Sequence, residues 1–149
     1  MIRVAIADPR DPGPRALLEE SHAMMQALFP PEDNFYLSVD ELAGEDVHFF
    51  AATEGDEVLG TGALAVKDGY GEVKSMFTAE AARGRGIGAM ILVKIEEWAV
   101  ALNLPVLKLE TGDSLGAAHR LYARAGFVPC GPFGDYGASA SSIFMEKKL

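Results

Sequence analysis

Apolar positions recur along this chain with two periods, and the changes of period mark out its elements. The alternation in "IRVAIA" (Ile2–Ala7) predicts a first strand. Within "DPGPRALLEESHAMMQALFPPED", Leu17, Leu18, Met24, Met25 and Leu28 fall at helical spacing. They predict one or two short helices, closed by Pro30 and Pro31. "SVDELAG" reads as a helical turn. "VHFFAAT" (Val47–Thr53), the turn "EGDE" and "VLGTGALAV" (Val58–Val66) predict an antiparallel hairpin. The turn "KDGYG" and the strand "EVKSMFT" (Glu72–Thr78) extend it into a meander. A glycine-rich loop follows, then a helix with Ile87, Met90, Ile91, Ile95, Trp98, Ala99 and Leu102 on one face, ending before Pro105. "VLKLET" (Val106–Thr111) predicts a strand. "SLGAAHRLYARAGF" (Ser114–Phe127) predicts a helix capped by Ser114 or Asp113 and stopped by Gly126. "SSIFMEKKL" supplies a last strand. No internal repeat, linker or low-complexity tract interrupts the pattern.

Composition narrows the class. A chain of 149 residues, 49% of them apolar, is expected to fold as one domain, 1–149, with a real core. No apolar run approaches the roughly 18 residues of a membrane span, so no membrane partner is expected. Charge comes too early in "MIRVAIADPRD" for a secretory signal. The single cysteine, Cys130, rules out an internal disulfide and fits a reducing cytoplasm. A net charge of −9 argues against nucleic acid, whose phosphates it would repel, and mildly favours a cationic substrate.

The loop "RGRGIG" (Arg83–Gly88) changes the picture most. Three glycines and two arginines stand within six residues at the mouth of an amphipathic helix. A helix N-terminus presents unpaired N–H groups and partial positive charge, and glycines let a ligand approach that backbone closely. Together these make an anion site whose usual occupant is phosphate. No Gly-Lys-Ser/Thr exists for a P-loop. Gly84, Gly86 and Ala89 do fit G-x-G-x-x-A, with Glu110 ending the next strand where a ribose-binding acid would lie. Two features count against a dinucleotide fold. "AEAAR" separates the strand from the glycines, and the strands upstream are hairpin-linked.

"RGRGIG" also resembles the R-x-x-G-x-G signature of the GCN5-related N-acetyltransferases (GNAT), with Arg83, Gly86 and Gly88 at the named positions. "LYARAGF" (Leu121–Phe127) resembles that family's L-Y-x-x-x-G-F. "GEVKSM", "LETGD", "PFGDYG" and "FMEKKL" are similar to a bacterial subgroup of small acetyltransferases. The resemblance covers nearly the whole chain. It implies an α/β (α+β) fold: a mixed, mostly antiparallel sheet flanked by helices, with the cofactor cleft between splayed central strands, "EVKSMFT" and "VLKLET". It further implies acetyl-CoA as co-substrate and transfer of the acetyl group to a primary amine of a small molecule, by direct attack in a ternary complex. A homodimer is compatible with it.

The resemblance assigns roles. The N–H groups of Arg83, Gly84, Arg85, Gly86, Ile87 and Gly88 would hold the CoA pyrophosphate. Met76, Phe77 and Thr78 would pair with the pantetheine amides as an extra strand, and an N–H near Met76 would stabilise the oxyanion. The side chains of Met76 and Phe77 read as core. Tyr122 is the candidate general acid for the leaving thiolate. Its ring shares a helical face with Leu115, Ala118 and Ala125. Glu72 is the preferred candidate base, with Glu110 and ordered water as alternatives. Period-2 alternation puts Glu72 on one face with Lys74 and Met76. Many family members carry an asparagine where this chain has Leu115, so a side-chain contact to pantetheine is not expected there. The acceptor pocket is expected from variable segments: His22, Met25, Phe133 and Tyr136, with Asp135 as a carboxylate for a cationic group. His48 and His119 read as structural or solvent-facing. No His, Cys and carboxylate cluster has metal-ligand spacing, so no metal is expected. Two other functions stay open: a catalytically silent acyl-CoA-binding module of the same fold and, more remotely, a dinucleotide-binding oxidoreductase.

Overall fold

Two short glycine turns fold the centre of the chain into a meander. Gly55–Asp56 joins β2 (Val47–Glu54) to β3 (Glu57–Lys67), and Asp68–Gly69 joins β3 to β4 (Tyr70–Thr78). Gly55 and Gly69 adopt φ of 59° and 83°, a region closed to most side chains. The computed structural model describes residues 1–137 and 140–149. Within them, β1 (Ile2–Ile6), α1 (Pro12–Leu28) and α2 (Val39–Leu42) precede the meander. After it come α3 (Ile87–Ala101), β5 (Val106–Gly112), α4 (Gly116–Arg124), β6 (Val128–Cys130) and β7 (Ser142–Lys148). The strands form one sheet in the order β1-β2-β3-β4-β5-β7-β6. Every neighbouring pair is antiparallel except β4–β5.

Each sheet face buries a different set of helices. On one, Ile87, Ile91, Leu92, Ile95 and Ala99 of α3 and Tyr122 of α4 pack against Phe50, Leu64, Val73, Leu107 and Leu109. Each fully buried aliphatic side chain there is worth about 1.5–3 kcal/mol. On the other, Leu18 of α1 and Leu42 of α2 meet Phe49 and Ala63. Ser38 and Glu41 close a capping box on α2, which lets so short a helix form. Among the described residues, no helix is long and apolar enough to cross a membrane.

Several expected boundaries shift. The segment before Pro30 is a single 17-residue helix. The buried stripe of α3 is narrower than the apolar pattern: Met90 and Leu102 flank it and are 37% and 42% exposed. Helix α4 starts at Gly116, and neither Ser114 nor Asp113 caps it. The Leu115 N–H instead closes a turn on the Gly112 carbonyl, and the Asp113 N–H reaches the Ser141 carbonyl. Strand β6 was not foreseen, because three residues containing a proline carry no readable period.

Candidate active site

The parallel neighbours β4 and β5 touch only briefly. They pair at Gly71–Leu107 and Glu72–Lys108 and then part. Beyond the fork, β4 continues along β3 to Thr78, and β5 along β7 to Gly112. Among the described residues, the edge of β4 that faces β5 therefore has no strand partner past Glu72. A bulge accompanies the divergence. The β3–β4 register shifts between Thr61 and Ala63, and Ser75 adopts φ 56°. A non-glycine residue held there costs on the order of 1–3 kcal/mol and persists only where its surroundings fix it. Thr61, wholly buried, supplies part of that support by donating from Oγ1 to the Ser75 carbonyl at 2.9 Å.

The bulge also breaks the alternation that the sequence suggests. Glu72 and Lys74 do share a face, with their charged groups 3.5 Å apart. Met76 does not join them. One residue at positive φ resets the period, and Met76 packs instead into the α3 core. Phe77 is buried, and Thr78 ends the strand.

The Arg83–Gly88 loop lies between a short 3-10 turn, Glu80–Ala82, and α3. Gly84 and Gly86 have φ of 83° and 78°, and Gly86 is the N-cap of α3. No side chain caps that terminus and no acidic residue stands in the first turn, so its amides and positive end stay available to an anion. Arg83 lies over the Phe77 ring, 6.0 Å from its centroid, and reaches the Thr78 carbonyl at 3.4 Å. Arg85 turns to the β2–β3 hairpin and forms a bidentate pair with Glu54, at 2.8 and 3.2 Å. Ile87 is core. Gly88 has a packing duty: a Cβ there would stand 2.8 Å from Leu121 Cδ2. The glycine motif and the "LYARAGF" motif thus meet at Gly88 and Leu121, and that contact sets α4 beside the loop.

Tyr122, next to Leu121, is buried with Ala118 and Ala125 in the α3 core, its ring edge-on to Phe127. Leu115 is the N-cap residue of α4. Burial pushes the Tyr122 hydroxyl well above the ordinary tyrosine range, and the Glu110 carboxylate adds to the effect. Glu110 is half-buried on β5. Desolvation raises its pKa, Ser142 Oγ donates to it at 2.8 Å, and the Lys74 charge partly restores its ionised form. Glu110 is therefore a carboxylate at the fork whose pKa burial raises above the ordinary range, within electrostatic reach of Tyr122.

Glu72 is more enclosed. It is 4% exposed and accepts a 2.5 Å hydrogen bond from the Tyr136 hydroxyl. Lys74 Nζ donates to that hydroxyl and to the Phe35 carbonyl, both at 2.8 Å. Around this group lies a cleft of about 370 Å³ whose walls include Tyr36, Lys67, Tyr70 and Asp135. Of the residues expected at the acceptor pocket, Tyr136 and Asp135 line this cleft. Phe133 supports it from beneath, edge-on to Tyr70, Tyr136 and Phe144. His22 and Met25, on α1, are not among the residues lining the cleft. His22 stacks on Tyr36 at 4.1 Å between centroids, and burial lowers its pKa. His48 packs on Trp98, and His119 Nε2 lies 2.7 Å from the Gly112 carbonyl. Sequence reasoning passed over Lys74 and Tyr36. Lys74 shares a face with Glu72 in the sequence pattern, but nothing local shows that a loop some sixty residues later covers it.

The comparisons with known proteins agree with this architecture. The Acetyltransferase (GNAT) family matches residues 15–127. A curated relative, the IAA acetyltransferase of Azospirillum brasilense, is 40% identical over 99% of this chain and 98% of its own. A solved Klebsiella pneumoniae protein, provisionally described as an acyl-CoA N-acyltransferase, superposes with a TM-score of 0.84 at 29% identity, covering 100% of this chain and 98% of that one. The PaiA N-acetyltransferase of Thermoplasma acidophilum, solved in complex with coenzyme A, shares the fold at a TM-score of 0.77 and 16% identity, over 100% and 99% of the two chains. These likenesses remove the oxidoreductase reading, and the hairpin-linked strands before the loop explain why its fingerprint was only partial. With the forked sheet, the uncapped glycine loop and the matched length, the protein is an acyltransferase, and its chain belongs to the GNAT acetyltransferase family.

Proposed function

We propose that the protein transfers the acetyl group of acetyl-CoA to a primary amine of a small molecule, by direct attack in a ternary complex. One observation carries the reading. The fork between β4 and β5 has an anion-ready loop on the α3 side and a carboxylate-bearing cleft on the other. Donor and acceptor can then be held at once, and proximity removes much of the entropic barrier.

The Arg83–Gly88 amides hold the pyrophosphate, and the unpaired edge at Met76–Thr78 receives the pantetheine arm. The Met76 N–H, oriented by the Ser75 bulge, meets the oxygen that becomes negative as the amine nitrogen bonds to the acetyl carbon. The carbon–sulfur bond then breaks. Tyr122, whose hydroxyl holds its proton far more tightly than a thiol does, donates a hydrogen bond to the departing sulfur. The amine proton passes to Glu110, directly or through water. Glu110 suits this role better than Glu72, whose Oε2 is already committed to Tyr136 and Lys74. The Asp135 carboxylate at the cleft wall favours a cationic amine.

The deciding experiment measures thiol release from acetyl-CoA with spermidine, tyramine and lysine as acceptors. Amine-dependent release is expected. Tight acetyl-CoA binding without release for any amine tested would leave the silent binding module as the better reading.

A further inference from the structure

Lys74 occupies a singular place in the molecule. It is the first residue of its face after β4 leaves β5, and it immediately precedes the left-handed Ser75. Its side chain is only 9% exposed. A buried ammonium needs its donors met, and two of its partners here come from distant parts of the chain. The Phe35 carbonyl belongs to the connection that leads into α2, and the Tyr136 hydroxyl to the connection between β6 and β7. The Glu72 carboxylate belongs to β4 itself. Phe35 and Tyr136 then meet edge-on, with ring centroids 5.2 Å apart. Both segments form walls of the cleft beside the fork.

We propose that Lys74 is a positioning residue for the acceptor: its ammonium clamps one cleft wall to the other, through the Phe35 carbonyl and the Tyr136 hydroxyl, and so fixes the width of the cleft where the amine must enter. This rests on the acetyl-transfer reading of the same cleft. The clamp also keeps a positive charge beside the carboxylate proposed as base. Glu110 is faced by Lys74 and Glu72 from β4, Asp33 from the turn after α1, and Ser142 from β7. Tyr122 from α4 and Tyr136 from the β6–β7 connection complete its surroundings. Lys74 is the cation of that set. It opposes the desolvation that raises the Glu110 pKa, so its removal must move that pKa further up.

The test uses the full chain, acetyl-CoA and whichever of the three amines turns over fastest. Lys74→Met keeps length but removes charge and donors. The acceptor KM should rise by about tenfold or more, as expected for lost charged hydrogen bonds. Acetyl-CoA affinity by calorimetry should hold within about twofold, because the cofactor side is untouched. The acid limb of kcat/KM should move to higher pH. Lys74→Arg should return that limb toward its wild-type position while recovering the acceptor KM only in part. Tyr136→Phe keeps the ring contacts and removes one clamped atom, so it too should raise the acceptor KM; it decides the matter if Lys74→Met fails to fold. An acceptor KM unchanged in the folded variants overturns the clamp, and so does a parallel loss of acetyl-CoA affinity. A wild-type protein that releases CoA with none of the amines overturns the transfer reading itself, and the clamp falls with it.

Discussion

At the scale of single residues, the proposed chemistry at the fork rests on two groups that burial holds away from their solution behaviour. Tyr122→Phe keeps the ring and its contact with Phe127, so the fold should hold. If the hydroxyl assists the leaving sulfur, kcat should fall by roughly 10²–10⁴-fold while acetyl-CoA affinity stays constant. Steady-state kinetics with calorimetry on the same preparation checks both. Glu110→Gln should lower kcat/KM by roughly 10²-fold or more, with Glu72→Gln as the comparison. Glu110 also makes a stability prediction with a definite sign. Its folded pKa is raised, so above that pKa the folded state carries the cost of a desolvated charge that the unfolded chain does not. The cost fades as pH falls through the folded pKa toward the ordinary carboxylate value. Glu110→Gln should therefore melt higher than the wild type at slightly alkaline pH, and the advantage should shrink on acidification, as thermal melts across pH will show. Tyr122 and Glu110 could be singled out as candidates because each stands in or beside a short motif. Lys74 was not, since its partners Phe35 and Tyr136 lie 39 and 62 positions away.

At the scale of elements, period and turn chemistry gave the meander, α3, β5 and the closing strand nearly to the residue. The reason is physical: both sheet faces are covered, so apolar positions must fall on each strand, and the glycine turns fix where one strand ends. What escaped is irregular. Ser75 has no signal that it will take positive φ, because the Thr61 hydroxyl that braces it comes from another strand. The face of Met76 was mistaken for that reason alone. The α3 N-terminus offers the sharpest element-level prediction. Gly86→Glu adds the left-handed penalty, about 1–2 kcal/mol, and puts a carboxylate at the amides proposed to hold pyrophosphate. The expected outcome is a modest loss in melting temperature and an acetyl-CoA affinity too weak to measure by calorimetry. Retained affinity would move the cofactor elsewhere.

At the scale of the whole molecule, one sheet is built from two blocks that meet across two residue pairs of β4 and β5. The first block supplies the bulged strand and the second the carboxylate and the tyrosine, so the groups proposed to react lie where the blocks separate. Helix α3 packs on the first block, buried along Ile87, Ile91 and Ile95. An unpaired β-edge inside a folded protein has a further consequence: its backbone protons are open to exchange with the surrounding water. Amides of Lys74 to Thr78 that turn away from β3 should take up deuterium quickly in the free protein, while those of the paired β2–β3 strands stay protected. On addition of acetyl-CoA the same amides should slow sharply, and with plain CoA nearly as much. Isotope exchange read by mass spectrometry would then locate the cofactor arm along β4 before any acceptor is known. Backbone that trades its protons equally fast with and without the cofactor would place that arm off the strand.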